Sequence, residues 1–278
     1  GPEWVWENWQ SQLWERARST NRVLANTPTF EMRSDVDYYP LESTDPSVYF
    51  VTESTDATDI YSGNGTMSKI GTAKATFNSK KFMLQTGWSA EEDEDSIIRF
   101  ADNASRQARR AFEDNIDYVI LNGDTATGAN TNINLIDGTP TTGVSYLAMN
   151  GILKYPLVTN TANGVDFATK TNLTEAISSA RGLLNREFMN DVEKMVIYCD
   201  PETYNLMTRQ AEFLTLEVAG AGYTLRTGQV GWYLGIPVIA TPKMYKANSA
   251  GKVPNAGGTL GRLAIVYTPY IMVGFRRR

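Results

Sequence analysis

The chain contains no histidine, one cysteine and no uninterrupted apolar run near the roughly 18 residues that a membrane-crossing helix needs. The first absence removes the usual general base, the Ser-His-Asp and Cys-His pairs and the common zinc sites together. The single Cys199 rules out a disulfide within the chain, and its place inside the apolar run MVIYC reads as a small core residue rather than a nucleophile. Basic runs are scarce too. The net charge is −5, and only Arg276-Arg277-Arg278 gathers positive charge, after the apolar IMVGF, where it reads as the end of a strand. That balance argues against a large surface wrapped tightly around phosphate backbone. The opening residues lack the charged-then-apolar layout of a signal peptide, so a soluble, intracellular product is expected. No cofactor and no metal is implied.

What is present is 42% apolar residues over 278 positions, enough for one large or two modest cores. The strongest pattern lies in the stretch from Thr86 to Thr125. Ile97, Ala101, Ala104, Ala108, Ala111, Phe112, Val119 and Ile120 fall on one stripe at helical spacing. The spacing predicts a helix of roughly 27 residues from Asp95 to Leu121, about 40 Å long. Ser89 reads as a cap for this helix or a preceding turn, and the acids Glu91 to Asp95 suit the partial positive charge at its amino end. Five adjacent carboxylates cannot all point at one centre, so a solvated helix start is favoured over a metal or acid/base site. Asn122-Gly123 supplies the stop, with glycine expected in the left-handed conformation.

Four of the six tryptophans, Trp4, Trp6, Trp9 and Trp14, crowd into the first fifteen residues together with Glu3, Glu7 and Glu15. Trp6, Trp9 and Leu13 share a helical face. So short a segment cannot bury several indoles by itself, and it must lie on the rest of the fold, on another subunit or on a membrane, the last disfavoured by the interleaved acids. From Phe30 to Gln85 the texture is polar and broken by Tyr39-Pro40 and Asp45-Pro46. Two strand-like runs stand out, residues 47 to 54 and 72 to 85. In the second, Ala73, Ala75 and Phe77 alternate with Thr72, Lys74 and Thr76, and Tyr61 to Gly65 supplies the turn of a long hairpin. A two-stranded ribbon with few large apolar residues is marginal alone, so interlocking copies of the same chain are the economical reading.

Residues 123 to 169 read as loops. Their glycines, and Gly220-Ala221-Gly222, match no phosphate-binding arrangement. Asn172 or Thr171 caps a second helix with the stripe Leu173, Ala176, Ile177, Ala180, Leu183 and Leu184, and KMVIYC follows as a buried strand. Asp200-Pro201-Glu202 starts a short helix. Val230, Trp232, Leu234 and Ile236 to Ile239 suggest strands interrupted at Gly235 and Pro237, and LAIVYTP and YIMVGF two closing strands. Without a regular βα rhythm the body reads as α+β.

Two segments carry a resemblance. GWSAEEDEDSIIRFADNASRQARRAFEDNIDYVILNGDT resembles the spine-helix segment of tailed-bacteriophage major capsid proteins with the Hong Kong 97 fold, and QVGWYLGIPVIATPKM is similar to that family's Leu-Gly-hydrophobic-Pro-Val segment. The resemblance implies an N-terminal arm at 1–30, an extended hairpin loop at 31–85, a peripheral domain with the spine helix at 86–122 and 258–278, and an axial domain at 123–257. It implies a structural, non-enzymatic subunit of an icosahedral head, built from pentamers and hexamers around double-stranded DNA held without sequence-specific contact. Copies of the chain are then the main partners, and scaffolding, portal and cement proteins are further ones. Such proteins assemble in the host cytoplasm and reside in the virion, and in many an N-terminal scaffolding segment is removed. Trp4, Trp6, Trp9, Leu13, Phe77 and Phe82 are the expected subunit-interface residues. Some relatives weld subunits by a Lys-Asn bond, for which Lys69, Lys74, Lys80 and Lys81 are placed by location. Two rival readings are a bacterial nanocompartment shell enclosing protein cargo and, from another class, a carboxylate-based hydrolase using Glu187 and Asp191 one helical turn apart.

Overall fold

The structure is a computed structural model that describes residues 22–48, 70–87, 89, 100–214 and 229–276. It divides into two compact units, one of Gly1–Pro28 with Lys80–Met272 and one of Thr29–Ser79 with Val273–Arg278. The tryptophan-rich stretch, the acids Glu91 to Asp95, the 61–65 turn and Gly220 to Gly222 lie outside the described residues. Ser89 is described and exposed, but the residues joining it to the helix are not.

In the larger unit the dominant helix is α1, Phe100–Asn122, whose 23 residues span about 34 Å. Its stripe holds where side chains are described: Ala104, Ala108, Ala111 and Phe112 are half-buried, and Val119, Ile120 and Leu121 are buried, while Ile97, the Ala101 side chain and the expected start at Asp95 lie outside the description. Cover therefore deepens toward the carboxyl end. That end stops where the Asn-Gly pair predicts, for a different reason. Gly123 is not left-handed. Instead its backbone lies against Gly151, and a Cβ on Gly123 would sit 2.5 Å from the Met149 carbonyl oxygen and 3.0 Å from the Gly151 nitrogen. The close approach lets a second strand of chain satisfy the orphaned carbonyls of the last turn. Ile152 N donates to Ile120 O (2.9 Å), Leu153 N to Leu121 O (3.0 Å) and Gly151 N to Gly123 O (2.7 Å).

A five-stranded sheet forms the centre of this unit. With β4 as Met195–Cys199, β5 as Phe213–Leu214, β6 as Gln229–Tyr233, β7 as Ile236–Ala240 and β8 as Leu263–Tyr267, the order is β5-β6-β7-β4-β8. Only β4 and β7 run parallel, and β4 is buried along its whole length, as its unbroken apolar sequence requires. Met195, Ile197 and Cys199 pack with Tyr233, Ile236 and Val238, under Ile177 of α2 (Leu173–Gly182) and Met207 of α3 (Pro201–Met207). Both helices start as their sequences dictate. Asn172 Oδ1 accepts from Glu175 N (2.8 Å) while Glu175 Oε2 accepts from Thr171 N (2.9 Å), a reciprocal cap. Asp200 Oδ1 caps α3 at Glu202 N and Thr203 N.

The interruption expected around Gly235 is the turn itself: Leu234 and Gly235 have φ of 50° and 79°, the left-handed pair of a tight hairpin between β6 and β7. Pro237 does not break β7. It pairs with Trp232 on one side, and the pairing to β4 begins one residue later, at Val238, so no ladder hydrogen bond needs its missing N–H.

The closing strands do not pair with each other or lie apart from the 123–257 segment. Leu263–Tyr267 is the β8 edge of the central sheet, antiparallel to β4, while β9, Val273–Phe275, joins the smaller unit and runs parallel to β1, Thr29–Glu31. The hairpin of the smaller unit also shifts. Its strands are β2, Val36–Thr44, and β3, Gly71–Asn78; Ser47 and Val48 are not in a strand, and β3 ends well before Gln85. Pro40 is accommodated because each strand of a two-stranded ribbon has a free edge to which a missing donor can turn. A register shift between Glu42 and Thr44 adds local twist near the end of the paired region.

Candidate functional site

Two places concentrate chemistry, one in each unit. In the ribbon, the register Asp37↔Phe77, Tyr39↔Ala75 and Leu41↔Ala73 puts Phe77, Tyr39, Ala75, Leu41 and Ala73 on one face, with Asp37 at its end. The other face carries Tyr38, Thr76, Pro40, Lys74, Glu42 and Thr72, with the Lys74 ammonium 4.6 Å from the centre of the Tyr38 ring. Phe30 of β1 covers one end of the apolar face. Its ring meets those of Tyr39 and Phe77 edge-on, each at 5.0 Å. Leu41, 49% exposed, has no such cover.

Of the expected interface residues, Trp4, Trp6, Trp9 and Leu13 lie outside the described residues. Phe77 is half-buried by the aromatic cluster of its own chain, and Phe82 is half-buried in the larger unit. Tyr39 and Leu41 are not legible as a pair in the sequence because Pro40 between them reads as a break. Asp37 shares their face and Tyr38 lies on the other, so no apolar alternation marks this strand and its register with β3 reveals it. Val36, Tyr38, Ile70, Met83 and Leu84 are further large apolar side chains left exposed. Lys74 is engaged with Tyr38, Lys80 and Lys81 are exposed, and Lys69 lies outside the described residues.

The second place is a polar hub at the carboxyl end of α1, built from the Asn-Gly-Asp sequence. Asn122 is fully buried; its Nδ2 donates to Lys243 O (2.8 Å) and its Oδ1 accepts from Arg262 Nη2 (3.1 Å). Asp124, equally buried, accepts from Ala126 N and Ile133 N (both 2.9 Å) and pairs with Lys154 Nζ at 2.6 Å. Arg262 also donates through Nε to Tyr245 O (2.5 Å), and burial lowers its pKa to about 10. Its backbone N–H goes to Asp200 Oδ2 (2.9 Å), which ties the hub to the α3 cap. Nearby Tyr118, whose hydroxyl donates to Asn134 Oδ1 (3.0 Å), has its pKa raised by the same desolvation. Every one of these groups is spent on a neighbour, so the hub fixes backbone segments to each other.

The carboxylates of the hydrolase reading do not form a pair. Glu187 lies in a turn and is exposed, and Asp191 lies outside any α-helix. Asp191 is bound by Lys194 (2.6 Å) and the Tyr267 hydroxyl (3.1 Å), and the Lys194 contact holds its pKa below the usual carboxylate range. A carboxyl so held is a poor proton donor near neutrality. Cys199 is a core residue, its thiol pushed up to about 12 by burial. Among the described residues, no cluster of acidic and cysteine side chains is arranged to hold a metal, and no helix is long and apolar enough to cross a membrane.

No protein-family model matches the chain, and no curated protein does. Solved structures do. The chain is similar to the capsid of a native GTA particle, with 12% identity, 96% of this chain and 80% of that one covered, and a TM-score of 0.59. A structure from Mycobacterium phage Cain is similar at 14% identity over 98% of this chain and 76% of its own, TM-score 0.59. One from Mycobacterium phage Adephagia is similar at 15% identity over 99% and 76%, TM-score 0.57. At identities this low the likeness is one of fold: the chain has the α+β fold of tailed-phage capsid proteins, over nearly its whole length.

Proposed function

We propose that this chain is a structural subunit that assembles with copies of itself into the pentamers and hexamers of an icosahedral phage head enclosing double-stranded DNA. The observation that carries the reading is the fold, matched over 96% of the chain to a protein of a capsid. The ribbon supports it physically. Its apolar face is covered by Phe30 at one end and left open at Leu41, and a two-stranded ribbon is marginal without further packing. In this reading residues 1–30 are an arm and the 31–85 ribbon an extension, both completed by adjacent subunits, with Trp4, Trp6, Trp9 and Leu13 among the contacts. Spine helix α1 belongs to a peripheral region and the central sheet to an axial one. The acidic balance suits a container whose DNA must enter and leave, and scaffolding, portal and cement proteins would be its other partners.

Size-exclusion chromatography with light scattering on the purified chain tests this. Masses at multiples of five or six subunits, or of closed shells, are expected. A monodisperse monomer over a wide range of concentration and salt contradicts it.

A further inference from the structure

One buried side chain holds the backbone of the first described residues to α1. Asp117, 2% exposed on α1, accepts three consecutive backbone N–H groups: Arg22 N at Oδ2 (2.8 Å), Val23 N at Oδ2 (3.2 Å) and Leu24 N at Oδ1 (2.9 Å). Three donors converging on one carboxylate form the strong, charge-assisted type of hydrogen bond. The turn they hold is closed from both ends. Asn26 Nδ2 donates to Arg22 O (2.7 Å), Thr27 Oγ1 donates to Val23 O (2.8 Å), and the Val23 side chain is fully buried. Arg22 Nη1 reaches across to the Ala240 carbonyl at the end of β7 (2.5 Å). The turn is thereby fixed to α1 and to the central sheet at once.

None of these contacts is needed to complete the hydrophobic core of the sheet, and Asp117 makes no use of the polar hub. Among the described residues, its three hydrogen bonds all go to the backbone of Arg22, Val23 and Leu24. We propose that Asp117 is a positioning residue for self-association: its carboxylate fixes the backbone of Arg22, Val23 and Leu24 to α1, and assembly depends on that anchor. The proposal rests on the assembly reading above. It adds that a residue buried within one subunit decides whether assembly succeeds. The geometry makes Asp117 the lever because asparagine, nearly the same shape, carries one acceptor oxygen and points two donors at N–H groups that are donors themselves.

The test compares full-length wild type, D117N and D114N. Asp114 lies on the same helix and pairs with Lys243 (3.2 Å), so D114N removes a carboxylate without touching the clamp. The local readout is tryptic cleavage between Arg22 and Val23, followed by mass spectrometry. In wild type and D114N this bond is expected to resist. In D117N it is expected to cleave at least about tenfold faster, because hydrogen bonds to a charged group are lost from one turn. The assembly readout is light scattering: D117N is expected to stay at low mass under conditions in which wild type and D114N form large particles.

If wild type itself forms no particles, the assembly reading fails. If wild type assembles and D117N assembles as well at equal concentration, the positioning role is overturned, even if cleavage rises. Should D117N lose its cooperative thermal transition, D117E replaces it, keeping the charge but moving the carboxylate by one methylene. Amide exchange in wild type adds a readout independent of any variant. Protected Val23 and Leu24 amides are expected, and exchange at the rate of an open chain overturns the clamp.

Discussion

Substituting Asp124 by asparagine removes a charge at constant shape, in a place where the contacts are fully enumerated. The side chain has no solvent exposure, and it holds Lys154 Nζ at 2.6 Å and the N–H groups of Ala126 and Ile133 at 2.9 Å. In D124N one of the two acceptor oxygens becomes a donor, so either the Ile133 N–H loses its partner at Oδ2 or the Ala126 N–H and the lysine both lose theirs at Oδ1. Breaking a fully buried pair by removing one member costs about 3–5 kcal/mol. The Lys154 side chain keeps 16% exposure and a second acceptor in Asn150 Oδ1 (3.1 Å), which offsets part of this. We therefore expect about 2–4 kcal/mol on the unassembled subunit, a large share of a typical stability of about 5–15 kcal/mol. Urea denaturation should show a midpoint lowered by on the order of 1 M with an unchanged slope. K154M alone should be destabilising too, and the double variant less so than the sum of the singles. A D124N protein within about 0.5 kcal/mol of wild type, or strictly additive singles, would refute the reasoning that the Asn-Gly-Asp hub holds the end of α1 to its surroundings.

Replacing Leu41 by glutamate should leave the subunit's thermal transition nearly unchanged, since the side chain is about half exposed, while self-association measured by light scattering falls sharply; normal assembly of L41E would remove the ribbon from the contact surface. Cys199, with its thiol pushed up to about 12, should resist a thiol reagent at pH 8 in the native subunit and react at once in denaturant, and rapid native labelling would contradict its burial. Glu175 has its folded pKa lowered by the Thr171 backbone N–H, so its contribution to the α2 cap is fully present above the unfolded value of about 4.3 and is lost as pH falls through the folded one. Amide exchange at the start of α2 should accelerate over that acid window in wild type and show no such step in E175Q.

Local signals were legible and distant pairings were not. The α1 stripe and its stop, the Asn172 and Asp200 caps and the buried run Met195–Cys199 are all written within a few residues of where they act. Strand partners are not written that way. LAIVY and VGF are each strand-like, but nothing near them says that the first joins the central sheet beside β4 while the second joins β1. The two prolines misled in the same manner, since Pro40 and Pro237 break a strand only if an N–H is required there, and pairing decides that. The candidate site was half visible: alternation placed Phe77 with Ala73 and Ala75, whereas Tyr39 and Leu41 surfaced only once β2 was in register. The hub and the Asp117 clamp were hidden because Asp117, Asp124 and Arg262 look like ordinary surface charges until chain segments far apart in sequence bring their partners.

The central claim is that the native state of this chain is collective. Electron microscopy of the purified, full-length protein addresses it most directly. Closed shells with fivefold and sixfold clusters, in which the ribbon around Leu41 lies on a neighbouring copy, are the expected result. A uniform field of particles the size of one subunit, with that ribbon face folded against its own chain, contradicts the account.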